Sequence, residues 1–285
     1  MHRYRLIACL ITAIVSAINT TTLSAHQTEE LNKQRAVALW QEAIRAKGGH
    51  DRLQSIQNLL ISSRLDVRDR SSRPDVGDGR NLTQTERLYV MPGRAWIYTF
   101  TPQLGISLDA TVIDIERNFC MVTLAPVPRY VPGVSPCIPS TPIKFLIQDP
   151  VIYLMESKWV RPVPSGMRTE GKLDVIETKV GQLRVDFYLD RKSRLPIRLV
   201  TDWFGGIAQA TDRGGLVTVE LEDYVEIDGI WMPRRVTRWL KGDVPVGEIA
   251  RRDTEYASYQ FNVTYKPGIF ELPASRKLKR DDWKP

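Results

Sequence analysis

Histidine and cysteine are scarce in this chain, three of each among 285 residues, and the first 25 residues take one of each. Of the remaining histidines, His26 falls in a polar lead-in, so a histidine-based metal site or a Ser-His-Asp relay would rest on His50 alone. Neither Gly-x-Ser-x-Gly nor His-Glu-x-x-His occurs. His50 therefore reads as part of a helix-ending turn, and neither a catalytic residue nor a metal ligand is expected. A glycine-rich loop between strand and helix is missing too, so nothing cradles a phosphate and no cofactor is expected. After residue 25, no apolar run reaches the roughly 20 residues of a bilayer span. Charge of one sign does not dominate either. A net charge of +7 from 40 basic and 33 acidic residues is too small an excess for a dedicated nucleic-acid binder.

What is present begins with an export signal. His2, Arg3 and Arg5 precede an apolar stretch from Leu6 to Ile18, and Leu23-Ser24-Ala25 offers a small-residue cleavage site. Residues 1–25 are expected to be a signal peptide cut after Ala25, which places the mature chain in the periplasm; an uncleaved anchor is the alternative, with an apolar run too short to favour it. At the other end, residues 274–285 form a basic tail, with Arg276, Lys277, Lys279, Arg280 and Lys284 against Asp281 and Asp282. It reads as a solvated tail or as an attraction to an anionic membrane surface. Cys120 and Cys137 are the mature chain's two cysteines. In an exported protein they are a disulfide candidate closing Val127 to Gly133, with two separate thiols as the alternative.

One amphipathic helix stands ahead of a long run of strand patterns. Val37, Trp40, Ala43 and Ile44 recur at helical spacing, Lys47 suits the last turn, and Gly48-Gly49 ends the helix. Asp51 is placed to cap a short second turn through Leu53 and Ile56. Beyond it lie about eleven strand patterns, most joined by tight turns. Leu59 to Val67 is the first, and residues 68–83 read as a loop. Pro92-Gly93 turns a hairpin whose second strand shows Trp96, Tyr98 and Phe100 on one face. The segment from Leu124 to Pro142 carries Pro126, Pro128, Pro132, Pro136, Pro139 and Pro142, too many for a central strand, and reads as a long excursion or flap. Asp149-Pro150 opens a short helix that Pro162 to Gly166 ends. From Lys172 a regular meander follows, with unbroken alternation at Leu183, Val185, Phe187 and Leu189 and the two-residue turn signal Asp228-Gly229. A strongly curved antiparallel sheet, a half-barrel with the helix on its concave face, is the simplest completion.

The helix with its Gly48-Gly49 stop, the strand Val185 to Asp190 running through Arg194-Leu195-Pro196, the segment Ile227 to Pro233 and the terminal Phe270 to Pro273 resemble the bacterial outer-membrane lipoprotein-sorting family of periplasmic carriers. That resemblance covers roughly residues 34–65 and 171–273. It implies one half-barrel domain over residues 26–273, and a non-enzymatic carrier whose concave face holds the acyl chains of a lipid or an acylated protein. Trp96, Tyr98 and Phe100 are the candidate ligand contacts on the sheet, with Trp40 and Ile44 as the helix side of the same cavity; ordinary core packing is the other reading of those side chains. Two further functions fit a chain of this kind. One is an envelope-stress or outer-membrane assembly factor binding a protein partner. The other is an exported hydrolase using Asp114 and Glu116, although alternation on a wet strand face also explains that pair.

Overall fold

Helix α1 (residues 27–47) buries Ala36, Leu39, Trp40, Ala43, Ile44 and Lys47. Val37, expected on that face, is 42% exposed. The buried stripe is centred one residue away, with Ala36 fully buried in place of Val37. Gly49 N–H donates to the Ile44 carbonyl at 2.9 Å, and both glycines take positive φ, 143° at Gly48 and 90° at Gly49. Gly48 is also a matter of space: a Cβ there would lie 2.6 Å from the Gly229 carbonyl oxygen. Helix α2 (His50–Ser55) follows at once with Gly49 at its N-cap and no side-chain cap, so Asp51 sits inside the first turn instead of capping it.

The computed structural model describes residues 27–68, 80–90, 94–100, 108–114, 119–125, 133–136, 150–158, 160–180, 183–203, 215–241, 251–266 and 270. Thirteen strands in them form one antiparallel sheet. A first meander runs outward through β1 (Asn58–Arg68), β2 (Arg80–Val90), β3 (Arg94–Phe100), β4 (Leu108–Asp114), β5 (Phe119–Ala125) and the edge strand β6 (Gly133–Pro136). The second starts at the opposite edge with β7 (Val163–Glu170). It returns through β8 (Leu173–Val180), β9 (Leu183–Asp190), β10 (Pro196–Trp203), β11 (Gly215–Ile227), β12 (Ile230–Lys241) and β13 (Arg251–Phe261). The two meanders join where β13 pairs with β1, Leu59 opposite Phe261 and Val67 opposite Arg252.

The connection from β6 to β7 has to pass from one edge of the sheet to the other. Part of it is a single 3-10 turn (Pro150–Leu154) whose Val151, Ile152, Tyr153 and Leu154 are buried in the main core. The Tyr153 ring meets the Tyr256 ring of β13 edge-on at 6.2 Å, so this segment crosses the inner face near the middle of the sheet. The sequence placed a short helix here, and the fold explains why these apolar residues sit between two proline-rich stretches.

Nine consecutive strands, from β3 to β8, contribute to one hydrophobic cluster with α1 and the crossing segment. Laid flat, nine strands would span about 38 Å, whereas α1 is about 31 Å long. The sheet curves around its contents and stays open, its edges being β6 and β7. Proline marks both edges: Pro136 ends β6, and Pro164 sits in β7 beside a register shift between Pro164 and Gly166. An edge strand tolerates proline because one side of its backbone needs no partner. The sequence therefore understated the count by ending the short helix at residues that open β7. The 68–83 loop is also shorter than its composition suggested, since β1 extends to Arg68 and β2 begins at Arg80; residues 69–79 lie outside the described part.

Candidate functional site

The inner face is lined by side chains that strand alternation aims at α1. In β9, Val185, Phe187 and Leu189 point inward while Arg184, Asp186 and Tyr188 point outward. Trp40 meets Phe187 edge-to-face with ring centroids 5.0 Å apart. Polar ties also hold the covering elements. Asn32 accepts a hydrogen bond from Met167 N–H at 3.3 Å, Glu42 pairs with Arg194 at 3.1 Å, and Glu156, on the crossing segment, accepts from His50 Nδ1 at 2.9 Å and from Gln54 at 3.4 Å. The α1–α2 turn rests on the β11–β12 hairpin tip, where Asp228 and Gly229 both have positive φ and Arg52 reaches the Gly229 carbonyl at 3.4 Å.

Polar groups enter this interior at a few points. Lys47 is fully buried, and among the described residues its Nζ has no hydrogen-bond partner; it lies 5.0 Å from the centroid of the Tyr224 ring. Burial holds its pKa well below the usual lysine range. Burial pushes the hydroxyls of Tyr224, Tyr256 and Tyr259 well above the usual tyrosine range. Two of them are spent on proline carbonyls: Tyr224 donates to Pro196 and Tyr259 to Pro233, each at 2.6 Å. Tyr256 and Tyr259, three residues apart, would face opposite ways on a regular strand. A bulge in β13 opposite Ser62 and Ser63 shifts the register, so both turn inward and their rings lie 5.2 Å apart.

The outward face of the second meander is charged. Arg168 donates to Glu177 at 2.6 Å, to Asp186 at 2.9 Å and to Tyr188 Oη at 3.0 Å, and Arg184 donates twice to Asp186. Burial opposes the Arg168 charge, but its bonds to Asp186 and Glu177 outweigh that and raise its pKa. Asp174 is held by Arg191 and Arg194. These carboxylates are neutralised by arginine, and no group of three or more His, Cys, Asp or Glu able to hold a metal ion occurs among the described residues.

The structure separates the residues that the sequence grouped. Trp40 and Ile44 belong to the inner cluster. Trp96 does not share their cavity: Ala95 and Tyr89 face inward as an opposed pair, and alternation turns Trp96 and its partner Leu88 to the other face. Both are nevertheless fully buried, outside the main cluster, as is Phe270, whose ring lies under the Arg94 guanidinium at 5.2 Å. Tyr98 and Phe100 are in β3, in phase with Trp96, and their side chains lie outside the described part. So does the Cys120 side chain, and Cys137 and Glu116 are wholly outside it, as is the tail beyond Phe270. Lys47 and the inward tyrosines went unrecognised as a group. Only the register of β13 brings them together.

An open antiparallel sheet with one N-terminal amphipathic helix on its inner face is the fold class that these features define. In fold the chain is similar to a LolA superfamily protein from Nitrosomonas europaea, at 12% identity and a TM-score of 0.49, over 81% of this chain and 97% of that one. It is also similar to an outer membrane lipoprotein-sorting protein domain from Vibrio parahaemolyticus, at 9% identity and a TM-score of 0.47, over 84% of this chain and 97% of that one. No family model matches the sequence, and no curated protein does.

Proposed function

We propose that the chain is an exported, non-catalytic carrier of the cell envelope, working in the periplasm and holding the acyl chains of a lipid or lipid-modified protein against the inner face of its sheet. One observation carries this reading. A single apolar surface drawn from nine strands is covered, among the described residues, by α1, Leu53 of the short α2 and one crossing segment. An acyl chain replacing part of that cover gains about 0.8 kcal/mol for each methylene taken from water, so affinity scales with chain length and needs few polar contacts. The basic tail would add attraction to an anionic membrane at the points of loading and delivery.

The test is organic extraction of the purified protein with lipid analysis by mass spectrometry, together with titration of a fluorescent fatty acyl probe. Co-purified lipid and saturable probe binding that strengthens with chain length support the carrier. A protein that carries no lipid and binds no probe overturns it.

A further inference from the structure

We infer that the Lys47 amine is the anchor for the carboxylate head of a long-chain fatty acid lying under α1; this rests on the acyl-carrier reading and names its ligand class. Among the described residues the fold buries one other charged side chain, and that one is paired. Asp186 is 3% exposed and is met by two arginines. Lys47 is more deeply buried, at 0%, yet among the described residues no carboxylate pairs with it and its amine makes no hydrogen bond. A buried amine left in this way is unfavourable, and a bound anion is one way in which it is completed.

The place is suited to a small anion at the end of an apolar chain. Lys47 stands in the last turn of α1, on the same stripe as Trp40, Ala43 and Ile44, so a chain running along that stripe has its head at the amine. The Tyr224 ring stands on one side of the amine, its centroid 5.0 Å away. The Tyr224 and Tyr259 hydroxyls already donate to carbonyls. A phosphate dianion has three oxygens to satisfy against the one ammonium of Lys47, whereas a carboxylate has two and is matched more nearly by a single ammonium. A charge-assisted contact of this kind favours the acid over an uncharged chain of equal length by about tenfold or more.

The experiment compares palmitic acid with its methyl ester at pH 7.5, by displacement of a fluorescent acyl probe, in the parent protein and in Lys47→Met, which keeps the length of the apolar stem. The expected result is that the parent prefers the acid by about tenfold and that the variant binds acid and ester alike. Equal binding of acid and ester by the parent, or an undiminished preference in the variant, overturns the inference while leaving the acyl carrier standing. Failure of the parent to bind either ligand overturns the carrier itself. If Lys47→Met does not fold, carboxyl-labelled palmitate bound to the parent decides: a carboxyl resonance of the ionised form that is shielded from solvent relaxation supports the anchor, and one matching free solvent-exposed carboxylate overturns it.

Discussion

The two meanders solve the problem of a large sheet in different ways. In β7 to β13 one face is apolar and covered by α1, and the other carries arginine–carboxylate pairs open to water. In β2 and β3 both faces are buried, Tyr89 and Ala95 inside and Leu88 and Trp96 outside. In the first arrangement the cover of the apolar face is a separate helix, the element that a ligand would replace under the proposed function. The second ties strands into a double-sided core with nothing to exchange. The proposed carrier function would accordingly use the inner face that α1 covers, with the double-sided part of the first meander as its scaffold.

The largest effects should come from one tryptophan in each region. Trp40 is 3% exposed and Trp96 fully buried, so replacing either by alanine is expected to lower stability by about 3 to 5 kcal/mol in chemical denaturation. The comparison is made by the acyl probe. Trp40→Ala should weaken probe binding, because it removes the wall that α1 presents to the inner face. Trp96→Ala should leave binding by the folded protein unchanged. Weakened binding in both would mean that the two faces are coupled, and the contrast between the meanders would fall.

The outward charge network comes next. Asp186→Asn leaves Arg168 and Arg184 facing an amide, and loss of a buried carboxylate of this kind is strongly destabilising. Here the arginine side chains are 34% and 53% exposed and can rehydrate, so about 1 to 3 kcal/mol is expected, with probe affinity unaltered. A carboxylate that belonged to the binding face would alter both readings.

These two regions were unequally legible in sequence. Leu183, Val185, Phe187 and Leu189 alternate against Arg184, Asp186 and Tyr188, so the face buried and the face wetted could be read directly. Asp228-Gly229 announced its turn, and the Gly48-Gly49 helix stop was visible; that the two touch was not, since the contact depends on tertiary packing. In β3 alternation alone was ambiguous. With Ala95 and Trp96 buried on opposite faces, alternation alone does not say which of the two rows faces Trp40, and packing puts Ala95 in the cluster that holds it. The inward tyrosines were hidden for another reason. A one-residue bulge reverses the phase between Tyr256 and Tyr259, and periodicity carries no sign of where a bulge falls.

Lys47 gives a smaller effect of opposite sign. In the empty protein Lys47→Met replaces an unpartnered amine by an apolar end, and a gain of about 1 to 2 kcal/mol is expected. The pH dependence fixes the cause. Because the folded pKa lies below the unfolded value, the unfolded chain binds more protons between the two, and stability rises with pH across that window up to about 10.4. The raised tyrosines act the other way above their unfolded value of about 10, where ionisation favours the unfolded chain and stability falls. The difference between parent and Lys47→Met should therefore shrink as pH rises toward 10. A difference constant from pH 7 to 10 would show that the amine is not the source.

The smallest effect concerns the crossing segment, the part of the cover that belongs to neither meander. Glu156 is 16% exposed and receives His50, which is 59% exposed, and Gln54. Pairs this open contribute at most about 1 kcal/mol, so Glu156→Gln should barely move the denaturation midpoint. Its consequence is local. The segment next to Met155, which holds a positive φ of 64°, would lose its tie to α2 while Val151 to Leu154 stay packed, so amide exchange at residues 155–158 should quicken and that in β12 and β13 should not. If the segment opens to admit ligand, the acyl probe should bind this variant faster at unchanged affinity within a factor of about two, as expected when a contact of the closed form alone is weakened by a few tenths of a kcal/mol. An unchanged binding rate beside quicker exchange would assign the opening motion to α1, leaving the crossing segment as fixed core shared by the two halves of the sheet.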